Sequence, residues 1–199
     1  MYTASQASLA DVNNNNTTYN NKVNERVVAF KDLKSLSTRL INALQTTDAT
    51  PQKIADAKAF NKKMQGIRAK AVETSTDPNT PAPKTISTSQ QSYDQQIQHL
   101  AGIISVLQSE PSYAPNENDL KIATLTAKQA DLTAKNSAVA TAYTNVSNSR
   151  IARDTTIYGA DTGLFDIATE VKKYVKSVFG ATSPQFAQIK GIEFTKKKK

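Results

Sequence analysis

A chain of 199 residues with formal charge +8, six glycines, no tryptophan and no cysteine has room for one ordinary core, and it lacks the turn glycines and aromatic, β-branched runs of a sheet protein. The absence of cysteine excludes a disulfide framework, a thiolate nucleophile and any cysteine-ligated metal. Met1-Tyr2-Thr3-Ala4-Ser5-Gln6 has no basic cluster leading into an apolar run, and no stretch approaches the roughly 18 apolar residues of a membrane span, so the expectation is an all-α, soluble chain, cytoplasmic by default.

Residues 7 to 45 carry a heptad pattern. Leu9, Val12, Tyr19, Val23, Phe30, Leu33, Leu40 and Leu44 fall on two rows spaced by seven, the seam of one long packed helix. Asn16, Arg26 and Ser37 interrupt the rows, with Val27 and Leu36 supplying apolar area beside two of the gaps. Thr46 to Thr50 read as a turn. Thr50-Pro51 then starts a second helix, because a threonine oxygen caps free amides and proline at the first position forfeits no helical hydrogen bond. Ile54, Ala57, Phe60, Met64 and Ile67 keep the three-and-four spacing of that helix, which is expected to run to about Val72 and fold back on the first.

Three prolines in the polar stretch 75–86 mark a connector that no helix can cross. A third helix is expected from Ser87 to Ser109, with Tyr93, Ile97, Leu100, Ile104 and Leu107 on one stripe. Pro111 and Pro115 turn the chain. Asn116 with Asp119 resembles a capping box, opening a fourth helix from about Glu117 to Tyr158 with Leu125, Leu132, Val139 and Val146 spaced by seven. After a break at Gly159 to Gly163, the apolar residues Leu164, Ile167, Ala168, Val171, Tyr174, Val175 and Val178 define a fifth, amphipathic helix closed by Gly180, whose stripe is expected to dock on the bundle. A short turn follows Ser183-Pro184, then extended residues near Ile192 to Phe194 and a lysine tail at 195–199.

The chain also repeats itself. Tyr19, Asn21, Asn24, Arg26 and Val27 recur as Tyr143, Asn145, Asn148, Arg150 and Ile151, each copy reading Y-x-N-x-x-N-x-R-[VI]. The expected architecture is therefore an elongated antiparallel bundle of four to five helices, two of them long, occupying 1–199 as a single bundle. Its halves, about 1–75 and 87–199, would derive from a duplication.

Asn116-Glu117-Asn118-Asp119-Leu120-Lys121, Ser149-Arg150-Ile151-Ala152-Arg153, Thr162-Gly163-Leu164 and above all Tyr174-Val175-Lys176-Ser177-Val178-Phe179-Gly180-Ala181-Thr182-Ser183-Pro184-Gln185 resemble a family of bacterial all-helical proteins of about this length, without an assigned function. The similarity spans residues 25 to 194. It implies a bacterial source and an all-helical form, and it carries no catalytic or binding residue onto this chain.

Chemistry is sparsely signalled. His99, the single histidine, has Asp94 five residues away and no glutamate three before it, so neither a general base with an orienting carboxylate nor a local metal-ligand spacing is present. No glycine-rich phosphate loop, H-E-x-x-H motif, E-x-x-H spacing or nucleophile elbow occurs. The expectation is a non-enzymatic structural or protein-interaction module without cofactor, metal or small-molecule substrate, partnering itself or another protein through helix faces. Tyr19, Asn24, Arg26, Tyr143, Asn148 and Arg150 are its candidate register or interaction residues, since polar groups within seams fix helix pairing. Asn16 and Asn136 occupy comparable seam positions. The charge offers an alternative. From Leu164 to Lys199 eight lysines stand against three acidic residues, a net of +5. Lys172, Lys173 and Lys176 with Lys196, Lys197, Lys198 and Lys199 are thus candidate contacts for an anionic membrane surface. Nucleic acid is disfavoured, because no stacking-aromatic platform or recognised motif accompanies the lysines.

Overall fold

A computed structural model describes residues 1–67 and 90–195. The connector 75–86, the helix start at Ser87 and the lysines 196–199 lie outside those residues, whereas the second helix, expected to reach about Val72, ends within them at Gln65, where Gly66 takes the left-handed conformation. Within them the chain is all helix and has no strand. In order it forms α1 (Tyr2–Phe30), α2 (Leu33–Gln45), α3 (Pro51–Gln65), α4 (Tyr93–Gln108), a 3-10 turn (Asn118–Leu120), α5 (Ile122–Tyr158), α6 (Leu164–Phe179) and α7 (Pro184–Lys190). That is more helices than four to five, because the first expected helix is split at Lys31-Asp32 and the segment after Ser183 forms a full helix of its own.

Local chemistry accounts for the ends. Thr50 caps α3 by accepting from the Lys53 amide, and Gly66 at φ 75° closes it in the left-handed region. Ser92 caps α4 by accepting from the Gln95 amide, so this helix begins at Tyr93, later than the apolar stripe alone suggested. The capping box expected at Asn116 and Asp119 does not form. Glu117 precedes the 3-10 turn without a side-chain cap, and the Asp119 carboxylate is instead gripped by the Arg39 guanidinium.

The described residues gather into two compact units, residues 1–22 with 139–199 and residues 23–138. These boundaries fall inside α1 and α5 and differ from the halves at 1–75 and 87–199, because the two longest helices each supply residues to both units.

The second unit holds the larger core. α3 packs on α4 and α2, and α2 also meets α4. Phe30, Leu33, Leu36, Leu40, Ile41, Leu44, Ala57, Met64, Leu100, Ile103, Ile104, Leu107, Tyr113, Leu120, Leu125 and Leu132 form one buried cluster. Each fully buried leucine contributes roughly 1.5–3 kcal/mol of transfer free energy. Val27, expected to widen the seam, is half exposed, and Ile67 is also exposed. Ser37, an interruption in the heptad row, is buried and donates to Asn61 Oδ1 at 2.8 Å, and Gln65 Nε2 reaches the same oxygen at 3.1 Å. This polar tie joins α2 to α3.

The loop after α4 is held by a buried carboxylate. Glu110 accepts from Ser112 Oγ at 2.6 Å, from Lys53 Nζ at 3.0 Å and from the Ser112 amide at 3.1 Å. The Ser112 hydroxyl, then Lys53, pull its pKa down to about 2. Tyr113 donates its hydroxyl to the Leu120 carbonyl at 2.9 Å, and burial pushes that phenol up to about 12.

The first unit is thinly filled. Its buried apolar residues are Val12, Val139, Ala142 and Val146, joined by the buried hydroxyls of Ser5 and Ser149. The turn from α5 to α6 closes through the Gly163 amide donating to the Gly159 carbonyl at 2.8 Å, with Asp161 at φ 62°. A Cβ on Gly163 would lie 2.6 Å from the Gly159 backbone nitrogen and oxygen, so only glycine lets the strands of this turn approach. Gly180 at φ 87° ends α6, and Ser183 caps α7 by accepting from the Phe186 amide at 3.1 Å.

Candidate functional site

The repeated residues meet across α1 and α5 within each unit. In the first unit the Tyr19 and Tyr143 rings tilt against each other with centroids 5.9 Å apart. Arg150 Nη2 donates to Asn16 Oδ1 at 3.3 Å, so the two helices run antiparallel there, Asn16 preceding Tyr19 while Arg150 follows Tyr143. Asn148 is exposed and lines a shallow groove of about 320 Å³ with Asp11, Asn15, Asn145, Ser149 and Ala152. In the second unit Arg26 Nη1 donates to Asn136 Oδ1 at 2.9 Å, and Asn136 Nδ2 donates to Asp94 Oδ1 at 2.7 Å. The Arg26 guanidinium lies 4.0 Å above the Tyr93 ring, a cation–π contact. Asn24 is exposed. Each repeated arginine thus spends a donor on an asparagine that stands in a seam. Each pair is a polar contact between α1 and α5, partly buried at Arg26–Asn136 and exposed at Arg150–Asn16.

Groups that could do chemistry are occupied or isolated. His99 is buried in α4, its Nε2 has no hydrogen-bond partner, and burial followed by the nearby Lys63 charge lowers its pKa below the ordinary 6.5. Among the described residues no carboxylate orients the ring, which instead has a backbone hydrogen bond with Gln90. A groove of about 680 Å³ between Asp32, Leu36, Ala127 and Asp131 has its carboxylates largely engaged, Asp119 with Arg39 and Asp131 with Lys135 at 3.4 Å. Among the described residues no three His, Asp or Glu side chains converge as metal ligands, and no helix is long and apolar enough to cross a membrane.

The open apolar surface is on α6. At about 100° per residue, Leu164, Ile167, Ala168, Val171, Tyr174, Val175 and Val178 span roughly 120° of the helix, centred on Val171. None of them is buried. Val171 is 54% exposed and Tyr174 67%, and Val178, Phe179, Ile192 and Phe194 are also exposed. Leu164, Ile167, Ala168 and Val175 are partly buried, so the expected docking of the stripe is partial and leaves Val171, Tyr174 and Val178 open. α7 meets α6 on the side bearing Lys172 and Lys176, roughly 100–140° from the stripe centre, and does not cover it. Lys172 Nζ donates to the Lys190 carbonyl at 2.7 Å and the Ile192 carbonyl at 2.8 Å, pinning the chain that follows α7. Lys176 stands 5.9 Å over the Phe186 ring. The three lysines therefore do not form one free basic face: Lys172 is consumed, Lys176 is partly engaged, and Lys173 projects into solvent. Lys196 to Lys199 fall outside the described residues.

The sequence reading found the stripe and missed its openness. Comparison of the chain with protein-family models, with curated proteins and with solved structures finds no match in any of the three, so every assignment rests on the residues and geometry described above.

Proposed function

We propose that the chain is a non-enzymatic interaction module that docks on protein through the apolar stripe of α6. One observation carries this reading. The first unit buries four apolar side chains, Val12, Val139, Ala142 and Val146, and exposes Val171, Tyr174, Val178, Phe179, Ile192 and Phe194. Small cores of this kind are marginal alone, and contiguous apolar patches of several hundred Å² mark interaction sites. The asparagine–arginine pairs serve the same role by holding α1 and α5 in register. The isolation of His99 supports a non-catalytic assignment.

A peripheral membrane reading has a weaker basis. An amphipathic helix with flanking lysines suits an anionic lipid surface, but Lys172 donates to backbone carbonyls and Asp166 and Glu170 share the helix. The test is a comparison of the wild-type chain with the Val171→Asp/Tyr174→Asp variant as immobilised bait, with circular dichroism to show that both fold. Partner retention by the wild type alone supports the reading. Equal retention by both, or none by either together with a monomeric mass at high concentration, refutes it.

A further inference from the structure

We infer that the occupant of the α6 stripe is the same stripe on a second copy of the chain, an assignment that rests on the interaction-module reading. Three observations point to it. The first is area. Val171, Tyr174 and Val178, each more than half exposed, with the partly exposed Leu164, Ile167, Ala168 and Val175, together present roughly 400 Å² of mostly apolar surface, taking aromatic side chains at 150–250 Å² and aliphatic ones at somewhat less. A standard interface covers about 800 Å² per partner, a little over half of it apolar, or roughly 450 Å². The stripe supplies about what one side of a stable dimer needs.

The second is pattern. Leu164, Val171 and Val178 stand seven apart, as do Ile167 with Tyr174 and Ala168 with Val175. A seven-residue repeat is the seam that another helix fills by knobs-into-holes packing, and a second α6 carries that seam in identical form. The third is charge. Residues 164 to 195 hold four lysines, 172, 173, 176 and 190, against Asp166, Glu170 and Glu193, a net of +1. On α6 the charged residues Asp166, Glu170, Lys172, Lys173 and Lys176 all lie roughly 100° or more from the stripe centre, so the stripe itself carries no charge. A copy can therefore approach it with little repulsion, and an anionic surface gains little from it.

The chain contains no native cysteine, so single substitutions report proximity cleanly. The experiment takes the full chain with Val171→Cys, Val175→Cys or Val178→Cys and follows disulfide formation under mild oxidation on non-reducing gels, with Ser8→Cys on the first helix as control. Sedimentation at low and high salt and flotation with phosphatidylcholine/phosphatidylserine vesicles run alongside. A seam between copies gives a crosslinked dimer at both Val171 and Val178 when the helices are parallel, or at Val171 alone when they are antiparallel, and several-fold less at Ser8. Raising salt should leave the dimer intact, because the seam it is made of carries no charge to screen. A monomer that crosslinks nowhere on α6 overturns the inference, as does vesicle binding that salt abolishes without any dimer. If that monomer still retains a protein partner through Val171 and Tyr174, the self-docking inference fails while the interaction-module reading stands.

Discussion

Gly102→Ala should destabilise the protein although alanine is the better helix former. Gly102 lies inside α4, where exchanging glycine for alanine ordinarily gains roughly 0.5–1 kcal/mol. Here the added Cβ would meet the Phe60 ring of α3 at 2.5 Å from Cε1, 2.6 Å from Cζ and 2.7 Å from Cδ1. Ordinary contact begins near 3.4 Å, so ring or helix must yield by close to 1 Å. The ring cannot swing away freely, because Phe60 packs against the buried cluster of the second unit. Overpacking of this kind costs about 1–3 kcal/mol. Set against the propensity gain, the net loss is about 0.5–2 kcal/mol. Urea unfolding followed by far-ultraviolet circular dichroism should show a lower midpoint at unchanged slope. The double variant Phe60→Leu/Gly102→Ala should recover most of the loss, with a coupling of about 1 kcal/mol between the two sites. A Gly102→Ala protein more stable than wild type, or strictly additive effects of the two changes, would refute the close α3–α4 contact.

Other consequences follow from single groups. Glu110, whose pKa lies near 2 in the fold against an ordinary 4.5, binds its proton more readily when unfolded. Its stabilisation is therefore complete above pH 4.5 and disappears as pH falls toward 2, and a Glu110→Gln variant should lose that acid dependence in pH-resolved unfolding. His99 works at higher pH, since its folded pKa lies below 6.5 and acidification through that value protonates the unfolded chain first. Stability should fall as pH drops below 6.5 and hold steady above it, while His99→Phe should flatten the change; a wild-type profile already flat there would show the imidazole to be solvated. Lys172→Met should release the chain after α7, seen as faster amide exchange over residues 184–192 with α6 unaffected, and unchanged exchange would contradict the clasp onto the Lys190 and Ile192 carbonyls.

The helical class and several ends were legible because they rest on local chemistry. Thr50-Pro51 and Gly180 cap or close helices by backbone geometry that a few adjacent residues dictate, whereas the end at Gly66 is hidden by apolar spacing that continues to Ile67. The break at Lys31-Asp32 was not legible. Both heptad rows run straight through it, with Phe30 on one side and Leu33 on the other, and neither proline nor glycine marks the spot. What separates α1 from α2 there is tertiary, since α2 turns its Leu33, Leu36, Leu40 and Leu44 row into a core made with α3 and α4. Asp119 misled for a related reason. Its spacing from Asn116 satisfies a local capping rule, but Arg39, eighty residues earlier, competes for the same carboxylate.

The candidate residues divide along the same line. Tyr19 with Tyr143 and Arg150 with Asn16 could be singled out as a repeat, yet their pairing depends on how α1 and α5 lie together, which no local window records. On α6 the stripe was plain from spacing, but its openness depends on what packs against it, and α7 does not cover it. Lys172 read as a free cation and proves to be a donor to two carbonyls, because a lysine beside a helix end satisfies backbone oxygens before it meets solvent anions.

The most direct measurement is the light-scattering mass of the purified chain after size-exclusion chromatography, across protein concentration and salt, for the wild type and the Val171→Asp/Tyr174→Asp variant. The account predicts a wild-type mass that rises with concentration from 21.6 kDa toward twice that value, and a variant that stays at 21.6 kDa throughout. A wild type fixed at 21.6 kDa under all conditions, or a larger mass that the variant leaves unchanged, would contradict the assignment of α6 as the docking face.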